Sequence, residues 1–272
     1  KQLMIPWMFT IEGYKTIDLS PDSEVISGIM RDRWVLSDKN NAKTDFIEDD
    51  LKDISEQVKE HYISEYLDVW KNVFKSLNII DFRDMRHATE VLAVLTDPVY
   101  SPLLSILQVT KENTELNPPI PDSLPTKKLG NKTKKATGML TDKLNANRGT
   151  KVDKQFMSLN ALSQESNKRP APINLTVQNI QLLHDFIDSI LVAPDPNKQA
   201  FDISKARYLS NTGNAITQME SYAKKMPTPI KLWLEELSDQ AWKVVLTSSR
   251  QYINAEWKNQ VYRPYARGLA NG

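Results

Sequence analysis

The sequence has no cysteine, and its 272 residues include only eight glycines and three histidines. The absence of cysteine excludes disulfides and thiolate chemistry, but it is compatible with either the cytosol or a bacterial periplasm. Eight glycines leave little material for tight β-turns or phosphate-binding loops. Three histidines limit both metal binding and general acid–base chemistry.

A charge excess of one sign and long apolar runs are also missing. The formal net charge is +1, so the whole chain has no electrostatic bias toward nucleic acid or anionic membranes. No apolar run approaches the roughly 18 residues of a membrane span, and no signal peptide opens the chain. Because the sequence begins at Lys1 and stops at Gly272, we expect an excised soluble fragment of a longer protein.

Motifs of common enzyme classes are absent as well. There is no Gly-x-Ser-x-Gly elbow, no Gly-x-x-x-x-Gly-Lys-Ser/Thr loop and no Gly-x-Gly-x-x-Gly turn. We therefore predict no enzymatic activity, no cofactor, and neither catalytic nor metal-binding residues. The sequence leaves the partner-binding residues unknown.

What the sequence does contain is helical periodicity, strongest from Thr44 to Leu77. Apolar or aromatic residues recur there every three or four positions, as on one helix face: Leu51, Ile54, Val58, Tyr62, Tyr66, Val69, Val73 and Leu77. Thr44 and Asp45 can cap the first turn. At about 1.5 Å per residue the predicted helix is roughly 50 Å long.

Similar stripes over the rest of the chain predict an all-α fold in two helical, bundle-like halves built on long helices. Residues 1–19 are predicted to form a short extended N-terminal arm on the helices, with a turn at Glu12-Gly13-Tyr14. One helix is predicted from Phe201 to Met226. Another runs from Thr228 to about Tyr262, where Pro264 bends or ends it. Further helix starts are predicted at Ser20, Asp81, Ser101 and Thr176.

A change of composition separates the two halves. Residues 115–151 hold four prolines and eight basic against three acidic residues, with too few apolar residues to order on their own. We predict a helical subdomain at 1–114, a flexible Pro/Lys-rich linker at 115–151, and a second helical subdomain at 152–272 with a long C-terminal helix.

One acidic cluster is a candidate for a metal or acid–base site. Asp81, Asp84, His87 and Glu90 follow an i, i+3 spacing on a predicted helix, which would let neighbours share a metal ion or a proton. A di-iron bundle needs a second Glu-x-x-His element, and neither His61 nor His184 has an acidic residue three positions earlier. We predict a solvated polar face here, and a surface position for His184-Asp185.

The lysines from Lys127 to Lys135 could contact phosphates. They lack the interleaved aromatic residues on which single-strand binders stack bases, so a solvated loop is the preferred interpretation. A stand-alone helical adaptor, or a nucleic-acid-binding module acting through the basic segment 127–151, is the alternative function.

The tryptophans fall mostly on the predicted apolar stripes. This position predicts core packing for Trp34, Trp70, Trp233 and Trp257. Trp242 lies one step off its stripe and is a candidate for an interface.

Seven short motifs, in order, resemble the IcmF/TssM family of type VI secretion systems. The resemblance covers nearly the whole chain apart from residues 115–151. The motifs are Phe9-Thr10-Ile11-Glu12-Gly13-Tyr14, Asp32-Arg33-Trp34-Val35-Leu36, Tyr62-Ile63-Ser64-Glu65-Tyr66 with Trp70, Ser101-Pro102-Leu103, Val152-x-x-x-Phe156-x-x-Leu159, Pro227-x-Pro229-x-x-x-Trp233-Leu234 and Asn254-x-x-Trp257-x-x-x-Val261-Tyr262.

The resemblance implies a periplasmic portion of a bacterial inner-membrane protein, without the family's membrane helices, nucleotide-binding region and final β-rich region. It implies a structural role in the membrane complex that anchors the secretion machine. The implied partners are the TssJ lipoprotein, TssL and further copies of the protein itself, with no nucleic acid. If TssJ docks on the missing β-rich region, the fragment itself does not bind it. The family supplies no catalytic residues for these positions.

Overall fold

The computed structural model describes residues 4–36, 48–117, 150–165, 170–210 and 213–270. No strand occurs in these ranges, which confirms the predicted all-α class for the described part of the chain. The α-helices are α1 (Ile11–Thr16), α2 (Glu24–Leu36), α3 (Glu48–Ser76), α4 (Met85–Thr96), α5 (Pro102–Thr114), α6 (Lys151–Asn160), α7 (Ile173–Leu191), α8 (Pro196–Ser210), α9 (Ala215–Ala223), α10 (Ile230–Trp257) and α11 (Arg263–Ala270).

The chain divides into two compact units, each built from two segments. The first unit comprises Lys1–Ser76 and Val109–Asn160, and the second comprises Leu77–Gln108 and Ala161–Gly272. The contiguous subdomains 1–114 and 152–272 stay a prediction about folding units. Within the second unit α4 packs against α7, a contact that favours the interleaved division. Most of the predicted linker, 118–149, lies outside the described residues.

Helix α3 is the longest helix of the first unit, as the sequence predicts. Its buried apolar side chains are Ile54, Tyr66, Trp70 and Phe74. Ile54 and Tyr66 belong to the predicted stripe, and Trp70 and Phe74 widen it near the C-terminal end of the helix. Helix α2 packs on its N-terminal half, and the ring of Phe156 in α6 lies 5.9 Å from that of Phe74. The expected caps Thr44 and Asp45 lie outside the described residues.

The N-terminal arm is helical where an extended chain was predicted. A 3₁₀ turn at Trp7–Phe9 leads into α1, and the Thr10 hydroxyl accepts a hydrogen bond from the Gly13 amide. Gly13 lies inside α1. Glycine is needed there, because a Cβ would stand 2.3 Å from the carbonyl oxygen of Trp7. The predicted turn residue is therefore a close-packing residue.

The second unit buries the apolar faces of its packed helices. Helix α7 packs against α4 and α9, and α10 packs against α8 and α9. The fully buried large side chains of this unit are Leu92, Leu107, Ile180, Leu183, Ile187, Ile190, Ile216, Met219 and Ile230. These residues recur at helical spacing, which explains why the sequence predicts their helices.

Three predicted helix starts are wrong by a few residues. Several capping residues lie near each start, and tertiary contacts decide which one caps. At α4, Asp84 accepts the backbone N–H of His87 at 2.8 Å, while Asp81 is engaged by Gln240. The observed first residues are Glu24, Met85 and Ile173, in place of Ser20, Asp81 and Thr176.

The helix predicted from Phe201 to Met226 is two helices. Asn214 begins α9 with a capping box, in which its side chain accepts the Thr217 amide and the Thr217 hydroxyl accepts the Asn214 amide. This reciprocal pair satisfies the free donors of a new helix start. Sequence periodicity alone did not detect it.

Pro264 does not end the second long helix. A π-helical turn at Lys258–Tyr262 follows α10, and α11 continues directly from Arg263. Pro264 thus falls in the first turn after the π segment, where its missing N–H costs little helical bonding.

Candidate functional site

Five aromatic residues, here called the aromatic clamp, join the N-terminal turns to α3: Phe9, Tyr14, Tyr62, Tyr66 and Trp70. The Phe9 ring stacks on Tyr62 at 6.0 Å between centroids and meets Tyr66 edge-on at 5.9 Å. Tyr14 stacks on the same Tyr62 ring at 6.4 Å. These are favoured aromatic geometries, so the clamp fixes the arm on one face of α3.

Hydrogen bonds complete the clamp. The indole Nε1 of Trp70 donates to the Phe9 carbonyl at 3.0 Å, and the Tyr62 hydroxyl donates to the Met8 carbonyl. The Tyr66 hydroxyl donates to the carbonyl of Asn113 at the end of α5. The clamp thereby ties together three chain segments that are far apart in sequence.

The chemistry of the clamp is structural. Burial, followed by the neighbouring Tyr14, raises the pKa of Tyr62 to about 12. Burial, followed by Tyr62, also raises the pKa of Tyr66. Both phenols therefore stay protonated at neutral pH and act as hydrogen-bond donors, not as acids or bases.

A second junction in the first unit centres on Asp153 of α6. Its carboxylate accepts the backbone N–H of Asn117 at 2.8 Å and that of Thr150 at 2.7 Å. The Thr150 hydroxyl and the Asn117 side-chain amide also donate to it, at 2.9 and 3.2 Å. Asp153 thus holds together the two residues that flank 118–149.

The acidic cluster of α4 does not converge on one point. Asp84 caps the helix, and the Nδ1 atom of His87 accepts the Arg83 amide at 3.2 Å. Gln240 donates to the Asp81 carboxylate. In the described ranges, no group of three or more histidine, aspartate or glutamate side chains is arranged to hold a metal ion.

The other two histidines each lie beside a carboxylate on their own helix. His61 lies 3.3 Å from Glu65 on the exposed face of α3. His184 Nδ1 lies 3.0 Å from Asp185. Hydrogen bonds from His184 and then Gln181 lower the pKa of the Asp185 carboxyl. The Asp185 side chain is 60% exposed and that of His184 is 23% exposed, so the predicted surface position is correct for Asp185 and only partly so for His184.

An apolar cavity of about 430 Å³ opens in the second unit, with His87 and Glu90 among its lining residues. The segment 77–80 forms part of its wall, where Trp233 Nε1 donates to the Leu77 carbonyl at 3.2 Å. Sequence reasoning missed this cavity because its lining has the same pattern as ordinary helix core. The apolar lining residues include Ile80, Val91, Val94, Leu103, Ile106, Ile180, Ile230, Leu234 and Leu237.

The tryptophans divide into core and surface. Trp70 is 1% exposed, as predicted, and Trp233 is half-buried, but Trp257 is 56% exposed and its predicted core position is wrong. Trp242 is half-buried, with the Arg207 guanidinium 4.3 Å from its ring centroid. Its proposed interface role stays a prediction. The Trp34 side chain and the Lys127–Lys135 cluster lie outside what the structure describes.

Comparison with known proteins finds related sequences. Residues 1–115 match the family described as "IcmF-related: Intracellular multiplication and human macrophage-killing". The "Type VI secretion system component TssM1" of Pseudomonas aeruginosa is 22% identical over 284 aligned positions, which cover 96% of this chain. Residues 1–115 therefore resemble the IcmF-related family, and nearly the whole chain is similar to a TssM protein. The chain spans about a quarter of that relative, 24% of its length.

A solved structure described as "Type VI secretion system membrane core complex" is also similar to this chain. The TM-score is 0.58 at 15% identity, with 98% of this chain and 46% of that chain covered. At this identity the likeness shows a shared fold. It extends across nearly all of the chain, beyond the part matched by the family description.

The motifs that suggested the IcmF/TssM family have structural roles. Phe9, Tyr62, Tyr66 and Trp70 come from two motifs and form the aromatic clamp. The motif residue Ser101 begins α5: its hydroxyl accepts the Leu104 amide at 3.3 Å and donates to the Leu95 carbonyl at 2.7 Å. Across the residues that the structure describes, no helix is both long and apolar enough to span a membrane.

Proposed function

We propose that this chain is a structural component of a type VI secretion membrane complex, which holds a fixed shape and presents surfaces to other proteins. The observation that carries the proposal is the likeness, over 98% of the chain, to a fold found in a membrane core complex of that system. The similarity to TssM1 over 96% of the chain supports the same role.

The internal chemistry supports a structural role over an enzymatic one. The polar groups of the clamp and of the Asp153 junction are used in joining chain segments. Apart from the clamp tyrosines, the groups with shifted pKa values are exposed, and local hydrogen bonds are the main cause. Ser20 lowers the pKa of Asp18, and Asp202 raises the pKa of Lys198.

The long helices provide the means of holding a shape. Helix α3 has 29 residues and α10 has 28, so each spans about 40 Å at 1.5 Å per residue. Their buried stripes resist bending, because bending would open the packed faces. Each helix therefore fixes the distance between its own ends.

The finer proposal places the chain in the periplasmic portion of a bacterial inner-membrane protein that anchors the secretion machine. The proposed partners are the TssJ lipoprotein, TssL and other copies of the same protein. Support comes from the family resemblance. The alternative role of segment 127–151 in binding nucleic acid stays a prediction.

The test is complementation of a deletion strain with variants of the native protein. Secretion and co-purification of the membrane complex are measured for the single variants His61→Ala, His87→Ala and His184→Ala and for Trp70→Ala. We expect the histidine variants to secrete normally and Trp70→Ala to lose assembly. Tyr208→Ala, which removes a side chain that is 90% exposed, is the control.

Two results would contradict the proposal. One is normal secretion by the deletion strain itself, which would show that the protein is not needed by the system. The other is a histidine variant that folds and assembles but no longer secretes, because that separates chemistry from structure.

A further inference from the structure

The C-terminal part of the long helix carries a row of exposed apolar side chains. This C-terminal stripe consists of Leu246, Ile253, Trp257, Val261, Tyr262, Tyr265 and Leu269, which are between 42% and 66% exposed. Among the described residues after Ser249, none is buried. Single exposed apolar residues are common, but a contiguous row marks an interaction surface.

The π-helical turn keeps this row on one face. Trp257 and Tyr262 are five residues apart, and in an α-helix that spacing rotates side chains by about 140°. Here the Arg263 amide donates to the carbonyl of Lys258, five residues back. The Trp257 and Tyr262 rings consequently stack at 5.8 Å, with 26° between their planes. Tyr265 and Leu269 then follow at steps of three and four residues.

The stripe lies in a basic environment. Residues 250–270 contain Arg250, Lys258, Arg263 and Arg267 against the single acid Glu256. Arg250 lies in line with the stripe, four residues after Leu246 and three before Ile253, and Lys258 borders it because it directly follows Trp257. None of the four cations forms an ion pair within the described part of the chain. Glu256 accepts a hydrogen bond from its own-helix neighbour Gln260.

We infer that the C-terminal stripe docks an amphipathic helix of a different protein, whose apolar face is bordered by acidic side chains. A row of apolar residues along one helix face, over about 35 Å, fits the matching row of another helix. Acidic side chains on that partner would meet Arg250 and Lys258 and be attracted from a distance by the two remaining arginines. The inference rests on the proposed function, since a component of an assembly needs such a surface.

Two other occupants fit the charges less well. A second copy of the chain would bring the same excess of positive charge, so stripe against stripe is repulsive. On a membrane surface, the basic residues of a lying helix border the apolar face and meet the headgroups. Here Arg267 lies two residues from both Tyr265 and Leu269, about 200° around the helix and so on its far side.

The experiment is photo-crosslinking in cells with the native protein, using p-benzoylphenylalanine in place of Tyr262 or Tyr265. The control position is Tyr208 on α8, which is 90% exposed and outside the stripe. We expect both stripe positions to crosslink to one segment of another protein, identified by mass spectrometry as helical in pattern and acidic at its borders. Tyr208 should give no such product.

Charge reversal tests the chemistry of the partner. Lys258→Glu should lower the crosslink yield at Tyr265 by about fivefold or more, as expected for losing a favourable pair and adding a repulsive one. Arg267→Glu changes the net charge equally but lies on the far side, so its effect should stay within about twofold. Equal losses in the two variants would overturn the assignment of Lys258 to the border.

Other results would overturn the inference directly. These are crosslinks to a second copy of this chain, no product above the Tyr208 control, or binding of the purified chain to phosphatidylglycerol vesicles that Lys258→Glu abolishes. Secretion by the deletion strain separates the two proposals. Lost secretion without a stripe crosslink refutes only the docking surface, whereas unchanged secretion refutes the proposed function.

Discussion

The indole Nε1 of Trp70 lies 3.0 Å from the carbonyl oxygen of Phe9, although 61 residues separate them in the sequence. This hydrogen bond joins the C-terminal third of the longest helix of the first unit to the N-terminal 3₁₀ turn. Because Trp70 is 1% exposed, the carbonyl would find no water in its place. The Trp70–Phe9 pair therefore stabilises the fold through both apolar packing and a buried hydrogen bond.

Replacing Trp70 should destabilise the protein in two steps. Trp70→Phe removes the donor while keeping most of the ring, and leaves a buried carbonyl unpaired at a cost of about 1–3 kcal/mol. Trp70→Ala also opens a cavity, so we expect a loss on the order of 3–5 kcal/mol. Urea unfolding followed by circular dichroism measures both values.

The control for this series is Trp257→Ala, since that side chain is 56% exposed. It should change the free energy of unfolding by no more than about 0.5 kcal/mol. Equal losses for Trp70→Ala and Trp257→Ala would show that burial of Trp70 does not contribute specially to the free energy of unfolding.

Gly13→Ala should also destabilise the N-terminal turns. An added Cβ would stand 2.3 Å from the Trp7 carbonyl oxygen and 2.7 Å from the Met8 Cα, so backbone must move. We expect a loss of about 1–3 kcal/mol. In helix α2, by contrast, a Cβ at Gly28 meets nothing within 4 Å, and Gly28→Ala should be neutral or stabilise by up to about 1 kcal/mol. Thermal unfolding of the two variants compares them, and a loss for Gly28→Ala alone would contradict the argument.

The stripes of α3 and α7 were predictable because one face of each helix is buried over many turns. The stripe from Leu51 to Leu77 keeps one phase, and Ile54 and Tyr66 within it are buried, which local sequence records. The helical turns at Trp7–Phe9 and Ile11–Thr16 were not predictable in this way. They are too short to show a period, and their conformation depends on the aromatic rings of α3, which are distant in sequence.

The surfaces were harder to predict than the core. Trp257 has the spacing of a core residue, because an interface stripe and a core stripe follow the same rule. What separates them is whether the rest of the fold covers the helix, and after Ser249 the described residues do not. The π-helical turn at Lys258–Tyr262 is equally invisible in the sequence, since no composition signal marks it. The apolar cavity could not be predicted from local sequence, because four helices and the segment 77–80 together supply its wall.

Asp153→Ala should loosen the junction between Asn117 and Thr150. Both backbone amides donate to the Asp153 carboxylate, at 2.8 and 2.7 Å, and the change leaves them without an acceptor. We expect a loss of about 1–3 kcal/mol in the free energy of unfolding. Glu60→Ala is the matched control, because Glu60 pairs with Lys151 on the surface at 3.3 Å and such pairs contribute about 1 kcal/mol or less. A smaller loss for Asp153→Ala than for Glu60→Ala, in urea unfolding at neutral pH, would contradict the assignment.

The free energy of unfolding should fall at alkaline pH because Tyr62 of the clamp ionises. Burial against Phe9 and Tyr14 raises the pKa of Tyr62 to about 12, whereas an unfolded tyrosine has a pKa of about 10. Because the folded-state pKa is the higher one, the folded state binds the proton more tightly. The resulting stabilisation is fully present below pH 10 and is lost as the pH rises from 10 through 12.

Tyr62→Phe cannot ionise, so its unfolding free energy should fall less steeply across that range than that of the wild type. Tyr208→Phe, which removes a phenol that is 90% exposed, controls for the loss of one tyrosine. Urea unfolding of the three proteins at closely spaced pH values measures the slopes. Parallel curves for wild type and Tyr62→Phe would show that the Tyr62 proton is not held by the clamp.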